Sequence, residues 1–222
     1  MSRSVIEDEG EDAGSTERLV VAQLSEKSLL ATGIRIGTLV KTKSMNQFIS
    51  RTRADGLHIL DVGKSLSRIE TAGRFIARAA EIERVVIYSS REYGQVPVEK
   101  FTELTGATSV TGRFMPGTFT NPLYPKHIDP EIVIVTDPAM DSQAVVEASN
   151  IGVPTIAICD TDNICENIDF VIPANNRGRK ALAAVIWLLA RSVLIHSGIQ
   201  TADQPLKYTI DDFETKLVEE PE

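Results

Sequence analysis

The chain has 222 residues, of which 42% are hydrophobic and 24% are charged, a composition typical of a folded globular protein. Its 23 Lys and Arg against 31 Asp and Glu give a net charge of −8. This argues against a protein that coats nucleic acid without sequence preference, because such binding depends on an excess of cations. Only two cysteines are present, Cys159 and Cys165, which favours a reducing compartment over a disulfide framework. With no signal-peptide pattern and no apolar run of about 20 residues, we expect a cytoplasmic protein without a membrane segment.

The charges are unevenly distributed along the chain. Residues 31–84 carry ten Lys and Arg against five acidic residues, whereas residues 129–170 carry nine acidic residues and no Lys or Arg. Solvated faces can differ in sign by chance. A stretch this long without a cation nevertheless predicts one surface that repels polyanions and another that can bind them. We expect a flexible acidic tail over residues 1–14, a single domain over 15–200 and an acidic C-terminal tail over 201–222.

Short runs rich in β-branched residues predict strands of the kind found buried in parallel sheets. These runs are Leu57–Val62, Val85–Ser89, Ala107–Val110, Ile132–Thr136, Thr155–Cys159 and Phe170–Ile172. Between or after them, helical patterns cover Leu66–Ala80, about Val98–Leu104, Ser142–Ser149 and Arg179–His196. In the first of these helices Ser67 and Glu70 have the spacing of a capping box, and Gly106, Gly152 and Gly198 close the others. This order predicts a doubly wound α/β domain with a mostly parallel sheet and a ligand crevice at the carboxyl ends of its strands.

Two motifs suggest chemistry at those strand ends. Asp160 and Asp162 follow an apolar strand as D-x-D, which resembles the nucleophile and acid of Mg²⁺-dependent phosphatases of the haloacid-dehalogenase type. Members of that family have Thr or Val at the position of Ile164. A turn at the end of the strand explains the same residues more simply. Ser89–Gln95 joins a strand to a helix, where backbone amides can hold a phosphate, but it lacks the glycine and lysine spacing of known phosphate loops.

Metal binding is not expected from the sequence. The three histidines lie far apart, and the spacing of the two cysteines does not match a zinc pair. No Gly-x-Ser-x-Gly motif is present, and no Ser or Cys is visibly placed beside a base. We therefore predict no catalytic residue and no cofactor.

The strongest binding signal is a basic segment that precedes the first predicted strand. Lys41, Lys43, Arg51 and Arg53 alternate there with small polar residues and are opposed only by Asp55. This is the chemistry of contacts with a phosphate backbone, although a solvated hairpin face would look similar. A second loop, Gly112–Asn121, carries Arg113 among glycines, a proline and aromatics, which suits either a recognition loop or a merely rigid one.

Taken together, these motifs resemble one known family. The segments that carry the resemblance are Gly33–Thr38, Asp55–Asp61, Ser89–Gln95, Gly112–Asn121, Val135–Pro138, Glu147–Ser149, Pro154–Asp162, Ile172–Gly178 and Ala184–Arg191. In order and spacing they resemble the universal second protein of the small ribosomal subunit, which is related to the laminin-receptor precursor. The long coiled-coil hairpin of bacterial members and the long acidic extension of eukaryotic members have no counterpart here, so the chain resembles archaeal members.

The resemblance implies a flavodoxin-like sheet with an N-terminal basic hairpin or extension, and no catalysis. It also implies a place in the cytoplasmic small subunit near the head–body junction, with rRNA, neighbouring ribosomal proteins and the mRNA-exit region as surroundings. On this interpretation Lys41, Lys43, Arg51, Arg53 and Arg113 contact rRNA phosphates, while the acidic stretch faces solvent or basic proteins. The alternatives left open are a phosphatase that uses Asp160 and Asp162 and a phosphate-ligand module near Ser89–Gln95.

Overall fold

A computed structural model describes residues 26–79, 81–201 and 204–216 of the chain. Seven strands occur in this part: β1 (Ile49–Thr52), β2 (His58–Leu60), β3 (Val85–Ser89), β4 (Thr108–Thr111), β5 (Ile132–Val135), β6 (Thr155–Cys159) and β7 (Phe170–Pro173). The α-helices of the same part are α1 (Glu26–Ala31), α2 (Val62–Ile76), α3 (Glu92–Thr105), α4 (Ser142–Ile151), α5 (Arg179–His196) and α6 (Ile210–Phe213). None of these helices has the length and apolar character needed to cross a bilayer. The predicted tail over residues 1–14 lies outside the described residues.

The central sheet has five parallel strands in the order β4-β3-β5-β6-β7. Numbered from its first strand, this is the 2-1-3-4-5 order of flavodoxin-like folds, with the change of direction between β3 and β5. Every residue of β3, β5 and β6 is buried, because helices or loops cover both faces of the sheet. The predicted doubly wound α/β fold is confirmed, and the strand ends differ from the prediction by at most one residue.

The segment Leu57–Val62 is an exception, because it does not join the parallel sheet. Its central part, β2, pairs antiparallel with β1, with Thr52 opposite His58, and Ile36 bridges to Ile59 on its other side. All three β2 residues are buried, and Ile59 and Leu60 are apolar, so the sequence of this segment resembles that of a central strand. The prediction of a parallel strand here was wrong, whereas the basic N-terminal hairpin is confirmed as β1–β2.

Helices lie on both faces of the sheet. One face is covered by α2, α3 and α5, and α5 is buried continuously from Ala181 to Leu194 because it runs between the other two helices. The other face is covered by α4, the 3-10 helix Met45–Phe48 and the loop that carries Phe114 and Phe119. The last described segment returns to the first face, where Phe213 is buried and Trp187 Nε1 donates to Tyr208 O at 2.9 Å.

Two predicted helix starts are corrected. The first helix begins at Val62, because the Asp61 side chain caps it by accepting from the amides of Gly63 and Lys64. Ser67 and Glu70 therefore lie inside the helix, and Glu70 turns inward to Ser192 Oγ and the ring of His196 instead of forming a capping box.

The second helix begins at Glu92, six residues before the predicted start at Val98, and runs through Pro97. Proline has no N–H to donate to the carbonyl four residues back, which belongs to Tyr93. That carbonyl instead accepts from Thr215 Oγ1 at 3.1 Å. The helix tolerates its proline because a residue far along the chain replaces the lost donor.

Candidate nucleic-acid interface

The default ligand position of this fold is filled by side chains of the protein itself. At the switch point between β3 and β5, the buried carboxylate of Asp141 accepts from Ser90 N at 3.0 Å and from Asp137 N at 3.0 Å. Thr136 Oγ1 donates to Ser89 Oγ at 2.7 Å in the same cluster. Burial is the largest influence on Asp141 and raises its pKa. The polar groups at these strand ends are therefore engaged with one another.

The segment Ser89–Gln95 takes part in this cluster through Ser90 and Arg91. Arg91 forms a salt bridge with Asp137, which is 1% exposed, and its Nε lies 2.8 Å from the carboxylate. Gly94 lies so close to Ser89 that an added Cβ would meet Ser89 Oγ at 2.1 Å. The strand-to-helix turn predicted as a phosphate site is thus used for internal contacts.

The D-x-D pair is also built into the protein. Asp160 is 1% exposed and accepts from Thr161 N, while Asp162 forms a salt bridge with Arg177. Asn163 Oδ1 accepts from Asp160 N, which closes a turn at the end of β6. Among the residues that the structure describes, no group of three or more His, Cys, Asp or Glu side chains is arranged to hold a metal ion. The arrangement is that of a strand-end turn.

Asp160 makes a pH-dependent contribution to stability that can be measured. Burial raises the pKa of Asp160 to about 6, above the value near 4 of an unfolded chain. The folded state then binds a proton more tightly than the unfolded state, so this carboxyl lowers stability as the pH rises from about 4 through about 6. The pKa difference corresponds to about 3 kcal/mol at neutral pH.

We therefore expect Asp160→Asn to become more stable relative to the parent chain as the pH rises. The difference in free energy of unfolding between the two chains should increase by about 2–3 kcal/mol from pH about 4 to about 8. Urea unfolding of both chains across this range measures the difference and cancels the other titrating groups. A difference that does not change with pH would contradict the buried, proton-binding carboxyl.

The loop that carries Lys41 and Lys43 is held against the same strand end. Thr38 N donates to Thr161 Oγ1 at 2.9 Å, and Thr42 N donates to Thr161 O at 2.9 Å. Thr161 Oγ1 in turn donates to Val40 O. The approach is close enough to require glycine at Gly37, where an added Cβ would meet Thr161 Cγ2 at 2.5 Å. Both lysines are exposed on this fixed loop.

Arg51 and Arg53 lie two residues apart on β1 or at its end, and both are exposed. Arg53 forms a salt bridge of 3.5 Å with Asp55, and both partners are more than half exposed. Such a pair is weak and readily exchanges its partner. Lys41, Lys43 and Arg51 form no ion pair with any residue between 26 and 216 that the structure describes. Among the described residues, three of the four cations thus have no anionic side chain paired with them.

Sequence reasoning missed two cations that extend this surface. Lys64 Nζ donates to Gln47 O at 2.6 Å, and the Arg68 guanidinium lies over the rings of Phe48 and Phe170 at 5.5 and 4.9 Å. Both belong to the first two turns of α2 and touch or approach the 3-10 helix before β1. Their spacing of four residues places them on one helix face and was the available signal. We call Lys41, Lys43, Arg51, Arg53, Lys64 and Arg68 the basic surface.

Arg113 does not belong to this basic surface. It follows β4, at the carboxyl edge of the sheet. The loop of Lys41 and Lys43 lies at the same edge, at the end of β6. These two strands are three positions apart in the sheet, which corresponds to about 14 Å. Its side chain is exposed and forms no ion pair within the described part of the chain. Hydrogen bonds of Gly37 and Thr38 with His58 hold the start of the lysine loop beside β2, which pairs with β1. Four of the five predicted rRNA contacts therefore lie on connected segments, and Arg113 lies on a separate loop.

The loop after Arg113 is held by a buried carboxylate. Glu147 of α4 is 3% exposed and accepts from Gly117 N at 2.7 Å, Phe119 N at 3.0 Å and Gln143 Nε2 at 2.9 Å. Burial acts to raise the pKa of Glu147, but these hydrogen bonds together outweigh it and the pKa is lowered. Phe114 stacks edge-on between Tyr88 and Phe119, with ring centroids about 5 Å apart. The loop is a rigid element that presents Arg113.

Glu147→Ala is expected to release this loop. It leaves the buried amide of Phe119 and the partly buried amide of Gly117 without an acceptor, so we expect a loss of about 3 kcal/mol in the free energy of unfolding. Glu147→Gln keeps one carbonyl acceptor and should lose about 1 kcal/mol. Hydrogen exchange at Gly117 and Phe119 measures the effect, with the amides of β5 as an internal reference. Unchanged protection in Glu147→Ala would refute the role of this carboxylate.

The two cysteines are part of the packed interior of the domain. Both are free; Cys159 is buried at the end of β6, and Cys165 is half-buried with its Sγ 3.6 Å from Met45 Sδ. They contribute to the apolar cluster beneath the 3-10 helix.

Fold and site together define a class of protein: a flavodoxin-like α/β domain whose strand-end crevice is filled from within and which displays a basic surface beside it. The family model of ribosomal protein S2 matches residues 29–126 and 123–195. The chain is 50% identical over 195 residues to small ribosomal subunit protein uS2 of Nitrosopumilus maritimus (strain SCM1), and 49% identical over 197 residues to that of Cenarchaeum symbiosum (strain A). Each alignment covers 88% of this chain and 94% of the relative. The chain belongs to the ribosomal protein S2 family, a family of structural proteins and not of enzymes.

Proposed function

We propose that this chain is a structural constituent of the small ribosomal subunit in the cytoplasm, where it binds rRNA through the basic surface and contacts neighbouring ribosomal proteins. The family and the two archaeal relatives support the assignment to the small subunit. The position near the head–body junction and the mRNA-exit region is part of the same proposal. The observation that carries rRNA binding is the exposed charge of Lys41, Lys43 and Arg51 on anchored segments, which forms no ion pair within the described part of the chain.

Anchoring matters because rRNA is a folded target with phosphates at fixed positions. The hydrogen bonds from Thr38 and Thr42 to Thr161 hold the lysine loop, and pairing with β2 holds Arg51. A segment that is already ordered loses little backbone entropy when its cations meet phosphates. Contacts of this kind set the position of a protein on the RNA and do not read its sequence.

Arg113 is proposed as a separate rRNA contact. Its loop is held by Glu147 and by the stacked rings of Tyr88, Phe114 and Phe119, so the guanidinium extends from a rigid base. A distance of about 14 Å or more from the basic surface would let the two sites contact different parts of the RNA.

The two small-molecule alternatives have weaker support. Asp160 is buried behind the lysine loop, Asp162 is paired with Arg177, and the groups of Ser89–Gln95 are used in internal contacts. No observation favours phosphatase chemistry or a free phosphate ligand over the structural role.

Ultraviolet cross-linking of purified small subunits tests the proposed rRNA contacts. After nuclease and protease digestion, mass spectrometry should find nucleotides attached to peptides that cover residues 41–53 and 112–121. Peptides from residues 129–170 serve as the control, because this stretch has no Lys or Arg. Adducts confined to residues 129–170 would reject the assignment of the RNA-facing side.

A further inference from the structure

A groove of about 350 Å³ opens at the carboxyl edge of the sheet, on the side of α4. Its walls are the turn before α4 with the first turns of that helix, and the segment that follows the end of β6. Val146 lies on the first wall, and Asp162, Ile164 and Glu166 lie on the second. The basic surface does not contribute a lining residue.

Large aliphatic side chains are exposed on both walls. Ile164 is 64% exposed and Val146 is 45% exposed. Single exposed aliphatic residues are common on protein surfaces. Two that line one groove, with a polar rim, form the kind of patch that buries an apolar side chain of a partner.

The charge around the groove selects the partner. Glu166 is exposed and forms no ion pair with the described residues, whereas Asp162 on the same wall is paired with Arg177. The free negative charge of the groove is therefore that of Glu166. Asp141, buried at the N-terminal cap position of α4, offsets the positive end of that helix dipole. Both walls belong to the stretch 129–170, which contains no Lys or Arg. The groove therefore disfavours a phosphate backbone and complements a cation.

We propose that this groove binds a positively charged segment of a neighbouring protein in the subunit. The segment places an aliphatic side chain between Val146 and Ile164, and a Lys or Arg against Glu166. The inference rests on the proposed function, because it takes the partner from the same particle. Beyond the proposed function, it assigns a basic polypeptide to this groove, and not rRNA or a second copy of this chain.

Photo-cross-linking identifies what occupies the groove. The full chain is made with p-benzoylphenylalanine in place of Ile164 and is loaded onto small subunits that have been washed free of the native protein. A second chain carries the same group in place of Ile199, which is 69% exposed and follows α5 at the opposite edge of the sheet. We expect the probe at position 164 to cross-link to one protein, through a peptide that contains Lys or Arg. The probe at position 199 should not cross-link to that peptide.

The alternative outcomes count against the proposal in distinguishable ways. If the chain loads but Ile164 cross-links to RNA, to a second copy or to nothing, the groove assignment is wrong and the ribosomal role stands. If neither chain loads, the proposed function fails and the groove assignment fails with it.

A charge-reversal variant gives a second readout. Glu166→Lys should reduce the yield of the Ile164 cross-link about tenfold, since it puts a repulsive charge against the partner's cation. Glu99→Lys, an exposed position on α3 on the other face of the sheet, makes the same change in net charge and should leave the yield unchanged. Equal yields from both variants would show that charge at this groove does not select the partner.

Discussion

Replacing Lys41, Lys43, Arg51 and Arg53 together by alanine is expected to weaken binding to the small subunit by about a hundredfold or more at physiological salt. The slope of log affinity against log salt is negative, and its magnitude decreases by about 0.7–0.9 for every phosphate that is no longer neutralised. The slope of the quadruple variant should therefore be less steep by about 3. Arg53 contributes least, because Asp55 already neutralises part of its charge. Binding of the labelled chain to salt-washed subunits, measured over a series of salt concentrations, gives both quantities.

The matched control removes the same number of cations elsewhere. Arg74, Arg78, Lys100 and Lys207 lie on the C-terminal part of α2, just after it, on α3 and on the segment before α6. Three of them form ion pairs with Glu70 or Glu103. Their combined replacement by alanine should leave the slope nearly unchanged. If both quadruple variants lose affinity equally, net charge governs binding and the basic surface has no special role.

The second large effect is expected at Gly73, where α2 crosses α5. A Cβ at this position would meet Ser192 Oγ at 2.1 Å, Ser192 Cβ at 2.5 Å and the Ser192 backbone carbonyl carbon at 3.1 Å. Rotation of the serine relieves only the first of these contacts, so the helices must separate. We expect Gly73→Ala to lower the free energy of unfolding by about 3 kcal/mol, although alanine favours the helix by about 1 kcal/mol.

Gly63→Ala in the same helix is the control for Gly73→Ala. The nearest atom to an added Cβ at Gly63 is Asp61 Oδ1 at 3.4 Å, which is an ordinary contact distance. Only the helix preference then acts, and stability should rise by about 0.5–1 kcal/mol. Urea unfolding of both variants measures the contrast. Equal stabilities would contradict the tight crossing of α2 and α5.

The parallel sheet could be predicted from the sequence because its strands carry an unambiguous signal. Runs such as Val85–Ser89 and Thr155–Cys159 are continuous, apolar and short, as is typical of strands covered on both faces. The Arg179–His196 helix was equally clear in its length and stop signal.

Burial alone could not distinguish β2 from a parallel strand. Its Ile59 and Leu60 are apolar and its three residues are all buried, as in the central sheet, but the partner is the adjacent β1. The choice of partner depends on long-range geometry, which a local pattern does not contain. The start of α2 was missed for a related reason: Ser67 and Glu70 have the spacing of a cap, yet Asp61 caps the helix and Glu70 bonds to residues on α5.

The candidate site was predicted in part. Lys41, Lys43, Arg51 and Arg53 stood out because they are dense in sequence, whereas Lys64 and Arg68 reach the same surface through the fold. The anchoring of the lysine loop by Thr161 joins residues more than 120 positions apart, and no local pattern indicates it. The role of Glu147 is of the same kind, since it clamps a loop 28–30 residues earlier in the chain.

Sedimentation of the native protein through a sucrose gradient at low and high salt tests the central claim most directly. If the chain is a constituent of the small ribosomal subunit, it migrates with small subunits at low salt, and part of it is released at high salt because the rRNA contacts are ionic. A chain that stays at the top of the gradient as a free 24.3 kDa species at both salt concentrations would contradict the account.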